Sequence, residues 1–151
     1  MLRTRLSDAL KIAMKEKDKR AVSTLRLILA ALKDRDIAAK GKGNVEGLSN
    51  DEILGLLQSM IKQRHESIDA YEKGGRVELA QREAEEIAVI EEFLPEQMSD
   101  DEMASVIAGV IDEVGAEGLK DMGKAMTALK EKYPGRMDFS KASAMVKERL
   151  S

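Results

Sequence analysis

The sequence contains no cysteine and no tryptophan, and it has only two prolines and one histidine in 151 residues. Without cysteine, disulfide frameworks, thiolate metal sites and thiol nucleophiles are excluded. Aromatic residues make up only 3% of the chain. The core must therefore be built from Leu, Ile, Val, Met and Ala, which suit helix packing better than β-sandwiches. These features predict an all-α protein.

Long apolar runs are also missing. No segment approaches the roughly 20 apolar residues of a membrane span. After the first eight residues, charged residues interrupt the chain at position 11 and again from position 15, where a secretory signal would need a continuous apolar run. We therefore expect a cytoplasmic, soluble protein. With 43% hydrophobic and 35% charged residues, the chain has enough apolar material for one ordinary domain or two small ones.

Residue patterns for catalysis and cofactor binding are scarce. His65 lies four residues before Asp69 and seven before Glu72, the minimum for a hard-metal or general-base site on a helix. Lys62 breaks the Glu-x-x-His pattern of di-iron bundles, which favours a surface or structural histidine. The chain also lacks a Gly-x-Ser-x-Gly elbow and a phosphate loop. We predict no catalytic residue, no cofactor and no metal.

A run of glutamates follows the predicted third helix. General acid/base pairs need one carboxyl group in a pocket that raises its pKa. This run instead has the composition of an exposed polar face, and we expect these carboxylates to be solvated: Glu83, Glu85, Glu86, Glu91 and Glu92.

Apolar residues recur at helical spacing in seven segments. The predicted spans are 2–14, 19–39, 49–74, 77–94, 99–115, 121–132 and 139–150. Ser49 with Glu52, and Ser99 with Glu102, have the spacing of capping boxes. Gly115 and Pro95 mark helix ends, and the inward stripes include Met14, Val77 and Ala84. We predict an N-terminal four-helix domain (1–95) and a C-terminal three-helix domain (99–151).

Charge is unevenly distributed along the chain. Residues 1–48 contain 12 basic and 6 acidic residues, residues 49–98 contain 5 and 12, and residues 99–151 contain 8 and 10. All eight basic residues of the last segment fall within 118–151, beside four acids. Two basic ends thus bracket an acidic middle. They form either solvated helix faces with ion pairs or surfaces for an anionic partner.

The tail combines apolar anchors, turn glycines and clustered positive charge around Gly135-Arg136. A few phosphate contacts there would give modest, salt-sensitive affinity. The scarcity of aromatic residues argues against base stacking but is compatible with a helical RNA, which is recognised by shape, phosphate and 2′-hydroxyl contacts. The candidate RNA- or partner-binding residues are Lys120, Lys124, Lys130, Lys132, Arg136 and Lys141.

Several blocks of sequence resemble the YqeY-like family, and together they cover nearly the whole chain. They are 24–33 (TLRLILAALK), 61–71 (IKQRHESIDAY), 75–80 (GRVELA), 83–90, 93–97 (FLPEQ), 121–126 (DMGKAM) and 135–138 (GRMD). The C-terminal part is similar to the tail domain of the B subunit of the tRNA-dependent amidotransferase. The chain departs from the family pattern at Thr127, Met137 and Phe139.

The resemblance implies two helical domains and a tail similar to one that helps the amidotransferase hold its tRNA. It also carries the family label of a carbon-nitrogen ligase with glutamine as amido-N-donor. The catalytic part of the B subunit, with its ATP and metal site, is a much larger domain that 151 residues without its motifs do not contain. We therefore predict no self-sufficient enzyme.

Our leading hypothesis is a non-catalytic helical accessory protein that contacts tRNA, a tRNA-dependent amidotransferase or a synthetase through its tail. Neither membrane binding nor DNA specificity is expected. The alternative is a protein-protein adaptor in which the acidic middle, 72–96, docks on a basic partner and the basic ends are merely solvated.

Overall fold

The computed structural model describes residues 1–151 and contains seven α-helices, one short 3-10 helix and no β-strand. This confirms the all-α prediction. The helices are α1 (Leu2–Glu16), α2 (Lys19–Gly41), α3 (Asn50–Lys73), α4 (Val77–Glu91), α5 (Asp100–Val114), α6 (Met122–Lys132) and α7 (Phe139–Leu150), with the 3-10 helix at Leu119–Asp121.

The predicted caps are present. The Ser49 hydroxyl accepts a hydrogen bond from the Glu52 amide at 3.2 Å, and the Glu52 carboxylate accepts one from the Ser49 amide at 3.1 Å. Ser99 and Glu102 make the same reciprocal pair at the start of α5. Gly115 ends α5 at φ 68°, a left-handed conformation that glycine adopts without steric cost.

The chain divides into two compact units, Met1–Leu94 and Pro95–Ser151. The first unit contains α1 to α4, which enclose one core of aliphatic side chains and one phenylalanine. Its buried members are Leu2, Leu6, Ala13, Leu25, Ile28, Leu32, Ile53, Leu56, Leu57, Met60, Ile90 and Phe93. Burial of this apolar surface is the main driving force for packing the four helices together.

The second unit contains α5 to α7 and a core of its own. Its buried members are Met103, Ile107, Val110, Ala125, Leu129, Met137, Ala142, Val146 and Leu150. At the start of α7, the Asp138 carboxylate caps the helix by accepting a hydrogen bond from the Ser140 amide at 2.9 Å. Independent folding of the predicted domains, 1–95 and 99–151, stays a prediction.

The structure corrects some local predictions. Helix α4 ends at Glu91 rather than at Pro95, because residues 92–94 turn away from helix before the proline. Met14 and Val77 are 51% and 69% exposed, and Ala84 is also exposed. Met14 is about 100° around the helix from the buried Ala13, and Val77 is the first residue of α4.

Candidate nucleic-acid interface

The basic turn between α6 and α7 is a packed structural element. Gly135 is buried at φ 74°, and its carbonyl accepts a hydrogen bond from the Gln97 side-chain amide at 2.7 Å. The Arg136 carbonyl accepts from the Met98 amide at 2.9 Å, while its guanidinium Nε donates to the Glu96 carbonyl at 3.1 Å. Arg136 is half-buried. Its contacts hold the segment before α5 against the turn.

Two further basic residues of the predicted surface pair with acids of the same unit. Lys132 pairs with Glu113, and Lys141 pairs with Asp100 at 2.5 Å. All four side chains are exposed, so each pair contributes roughly 0–1 kcal/mol to stability. The pairing nevertheless reduces the net positive charge that the two lysines present to a ligand.

The remaining three cations are available. Lys120, Lys124 and Lys130 are exposed and none of them takes part in the ion pairs of the second unit. Lys120 lies in the 3-10 helix and Lys124 in the first turn of α6, and the charges of both act on the carboxylate of Asp121. Lys130 lies about 9 Å beyond Lys124 and about 120° around α6. The structure thus brings together two of the six predicted residues and leaves Lys130 on another side of the helix.

Asp121 directly follows Lys120 and lies three residues before Lys124. The Glu117 amide donates a hydrogen bond to its carboxylate at 3.0 Å, and this bond is the main cause that lowers the pKa of Asp121. The charges of Lys120 and Lys124 lower the pKa further. The negative charge offsets part of the local positive field.

Gly123 leaves open space on the first turn of α6. A Cβ built at this position would meet no atom within 4 Å, and the residue is exposed. No contact within the chain therefore requires a glycine here. A missing side chain beside Lys124 allows the backbone of a ligand to approach the helix closely.

The departures from the family pattern have different structural roles. Met137 is 1% exposed and fills the core of the second unit, and the half-buried Phe139 packs against the same core. The exposed Thr127 donates a hydrogen bond from its hydroxyl to the Gly123 carbonyl at 2.9 Å. Two of the three departures are thus explained by packing.

The first unit contains a charged network that the sequence prediction missed. Arg64 of α3 donates from Nε to Glu86 of α4 at 2.9 Å and from Nη1 to the Met60 carbonyl at 3.1 Å. Arg20 of α2 contacts Glu85 at 3.1 Å and Glu86 at 3.9 Å. The network joins three helices. The signal for it in the sequence is Arg64, which lies four residues after Met60 and three after Ile61 and so falls on the apolar stripe of α3.

Glu83 lies at the edge of this network, 4.0 Å from Arg64. Burial raises the pKa of Glu83, and the nearby Glu86 raises it further, against the opposing effect of Arg64. The prediction that the glutamate run is fully solvated is therefore wrong for Glu83 and Glu86, which are half-buried. Their tertiary partner explains the difference, since an arginine 22 residues away compensates the buried charge.

A second, half-buried contact fixes the loop after α2. Arg3 donates two hydrogen bonds to Asp36, at 2.5 and 2.7 Å, and one to the Leu48 carbonyl at 2.8 Å. Asp36 also accepts from the Leu48 amide at 2.9 Å. The hydrogen bond from Arg3 lowers the pKa of Asp36 to about 2. Gly47, at φ 77°, passes so close to Asp36 that a Cβ would lie 2.4 Å from its carboxylate.

His65, Asp69 and Glu72 are all exposed on α3. No group of three or more His, Asp or Glu side chains in the chain is close enough to hold a metal ion. No helix combines the length and the apolar character needed to cross a bilayer.

The chain is all-helical, and its second unit carries exposed lysines on the 3-10 helix and on α6. The chain belongs to the YqeY-like family, whose model, described as Yqey-like protein, matches residues 3–150. The resemblance drawn from the sequence is therefore confirmed at the level of the family.

Several fungal proteins are similar to part of the chain. Altered inheritance of mitochondria protein 41, mitochondrial, of Lachancea thermotolerans is 36% identical over 89 residues, which cover 59% of this chain and 46% of that protein. The protein of the same name from Eremothecium gossypii is 33% identical over 89 residues, again 59% of this chain and 46% of that protein. An uncharacterized protein of Schizosaccharomyces pombe is 29% identical over 99 residues, 66% of this chain and 73% of that protein. The chain spans about half the length of the mitochondrial relatives it matches.

These relatives overturn the expectation of a cytoplasmic protein, because their names place them in mitochondria. The expectation rested on the lack of an apolar run. That lack argues against a secretory signal or a membrane span, but it carries no information about mitochondrial import, since transit peptides are amphipathic and rich in arginine rather than apolar.

Proposed function

We propose that the protein is a non-catalytic helical accessory factor that binds tRNA through its tail, with Lys120 and Lys124 as neighbouring contacts and Lys130 as a separate contact on another side of α6. The observation that carries the proposal is the exposure of these three lysines without ion-pair partners. Exposed lysine side chains bind phosphates with little desolvation cost, and Asp121 offsets only part of the charge of Lys120 and Lys124. The mitochondrial names of the fungal relatives support a place for this role in mitochondria.

The proposal assigns different roles to the six residues predicted from the sequence. Lys132, Arg136 and Lys141 already have acceptors within the second unit, so their main role is to shape and hold the surface. Lys120 and Lys124, beside the open position at Gly123, are the best-placed phosphate contacts. Three contacts predict an affinity that falls with a log-log salt slope of about 2 to 3.

Titration of a tRNA transcript with the full chain at about 50 and 200 mM salt tests this proposal. The variant Lys120→Glu/Lys124→Glu should weaken binding about tenfold or more and lower the salt slope by about two, because each lost phosphate contact removes about one unit. The matched control is Lys147→Glu/Arg149→Glu, which makes the same charge change on exposed residues of α7. Equal weakening by both variants would contradict the assigned surface.

The adaptor alternative receives less support from the charges. In the acidic middle, Glu78, Glu83, Glu85 and Glu86 lie within 4.0 Å of arginines of the first unit. This pairing reduces the free negative charge available to a basic partner. Affinity purification before and after ribonuclease separates the two proposals. RNA-mediated recovery vanishes with the nuclease, and direct protein contact persists.

The proposal includes no catalysis, so the carbon-nitrogen ligase label would describe relatives and not the isolated chain. Glutamine-dependent amide formation by the purified protein alone would contradict this part of the proposal. We expect none, with a complete tRNA-dependent amidotransferase as the positive control.

A further inference from the structure

A row of basic residues runs along the exposed face of α2. Lys19, Arg26, Lys33 and Lys40 recur every seven residues and are all exposed. Seven residues correspond to nearly two helical turns, so successive members lie about 10.5 Å apart along the axis and drift by about 20° per step. The four cations therefore form one gently winding row, here named the α2 ridge, about 30 Å long.

The α2 ridge has little internal compensation. None of its four cations is part of an ion pair, although Arg20 on another side of the helix is paired. Helix α2 carries six basic residues and two acidic ones. One of these acids, Asp36, is bound to Arg3. The ridge thus carries four cations outside ion pairs, of which Lys40 also acts on the carboxylate of Asp36.

The residues between the cations are mostly small and do not obstruct access to the ridge. Ser23 and Ala30 are small and exposed, and only Ile37, 61% exposed, is bulky. The Ser23 hydroxyl donates to the Arg20 carbonyl at 3.1 Å and does not stand out from the helix. A long rod can therefore lie along the row. A membrane surface would instead require a broad face of large apolar side chains.

A shallow groove lies at the first end of the ridge. It has a volume of about 400 Å³ and is lined by Lys17, Lys19, Val22, Ser23 and Arg26. Lys17 is the only non-glycine residue with positive φ, at 57°. It ends α1, and the turn brings its side chain beside Lys19 and Arg26. Three basic residues thus contribute to one concavity at the start of the row, which mainly their aliphatic parts and Val22 line.

We propose that the α2 ridge and its groove form a second RNA-binding surface that contacts the phosphate backbone of a helical RNA. Regularly spaced, solvated cations on a rigid rod match a rod-shaped polyanion better than they match a protein partner, whose binding hot spots are aromatic or arginine anchors in apolar pockets. The inference rests on the proposed function in one respect, that the ligand is tRNA. It is otherwise independent of the tail, because it lies in the first unit.

The test compares two double variants of the full chain. Arg26→Glu/Lys33→Glu reverses the centre of the ridge, and Lys73→Glu/Arg82→Glu makes the same charge change on exposed residues of α3 and α4. The ridge variant should weaken binding to a tRNA transcript about tenfold or more and lower the salt slope by about two. The control should change affinity by less than about threefold. Far-UV circular dichroism checks that each variant is folded, and Arg26→Gln/Lys33→Gln repeats the test without reversed charge.

Each other outcome has a definite meaning. Unchanged binding by a folded ridge variant, or equal weakening by ridge and control variants, overturns the ridge while leaving the tail proposal intact. Ridge-dependent binding to vesicles of phosphatidylcholine and phosphatidylserine, with no ridge dependence for tRNA, overturns the choice of RNA as ligand. Weaker tRNA binding by the ridge variant, with unchanged binding by Lys120→Glu/Lys124→Glu, supports RNA binding at the ridge and contradicts RNA binding at the tail. If the unmodified chain does not bind tRNA, both proposals are wrong.

Discussion

The tail surface and the α2 ridge contain similar residues but differ in what those residues contact. In the tail, three of the six predicted cations have acceptors within the second unit. On the ridge, none of the four is part of an ion pair, and they lie at a fixed spacing on one rigid helix. The difference shows that a count of positive charge along the sequence does not identify the charge available to a ligand. Cations outside ion pairs are found where no acidic side chain of a neighbouring helix lies close to them.

The largest expected effect concerns the tail turn, if it is primarily a packing element. Met137→Ala should lower the free energy of unfolding of the second unit by about 2–4 kcal/mol, because it leaves a cavity in the core. Met126→Ala, at a half-buried position of α6, should cost less. Urea unfolding measures the change, and hydrogen exchange should place it within residues 95–151. A loss of less than about 1 kcal/mol would show that the turn is loosely packed.

The charged network of the first unit should be the next most sensitive. Arg64→Ala leaves Glu83 and Glu86 half-buried without their main cation, and we expect a loss of about 2–3 kcal/mol, below the range for fully buried pairs because solvent reaches the site. Arg76→Ala removes the exposed pair with Glu78 and should cost no more than about 0.5 kcal/mol. Equal effects in denaturant unfolding would mean that the network adds little.

A smaller effect with a clear pH signature is expected at Asp36. Because its pKa is lowered to about 2 in the folded state, the contact with Arg3 stabilises the protein above the ordinary carboxyl pKa of about 3.9. The stabilisation is lost as pH falls through about 2. Asp36→Asn should therefore cost about 1.5–3 kcal/mol at pH 7 and progressively less below about pH 4.

The neighbouring exposed carboxylate gives the control for this prediction. Asp34→Asn on the same helix should change stability by no more than about 0.5 kcal/mol, both at neutral and at acidic pH. Urea unfolding of both variants between neutral and acidic pH makes the comparison. A cost of Asp36→Asn that stays constant down to about pH 2 would contradict the pH dependence assigned to the pair.

The smallest effects separate the two kinds of tail cation. Arg136→Ala removes the hydrogen bond to the Glu96 carbonyl and should cost about 1 kcal/mol, whereas Lys124→Ala, which has no ion-pair partner, should stay within about 0.5 kcal/mol. For binding to tRNA, Lys124→Ala should weaken affinity more than its effect on stability suggests. If Lys124→Ala lowered stability more than Arg136→Ala does, Lys124 would have a structural role.

The helices could be predicted because their signals are local. Apolar spacing, two Ser-x-x-Glu capping boxes and a terminating glycine act within a few residues, and α5 begins and ends where they place it. The end of α4 was missed because Pro95 acts through the residues before it. Long-range pairs could not be predicted from local patterns, as the sequence separation of 41 between Lys141 and Asp100 illustrates.

The candidate sites show the same limit. The sequence identifies the tail lysines, but their free or paired state depends on acids of α5 that only the fold brings near. The seven-residue spacing of the α2 ridge is visible in the sequence. Its significance depends on exposure, since the same spacing on an inward face would predict buried salt bridges.

The most direct test of the central claim, that free cations on these two surfaces bind helical RNA, is the salt dependence of tRNA binding. Wild-type protein, Lys120→Glu/Lys124→Glu, Arg26→Glu/Lys33→Glu and the two control variants are titrated across about 50–200 mM salt. The account predicts that each surface variant lowers the log-log slope by about two while the controls leave it unchanged. A wild-type protein that does not bind at about 50 mM salt, or equal slopes for all five proteins, would contradict it.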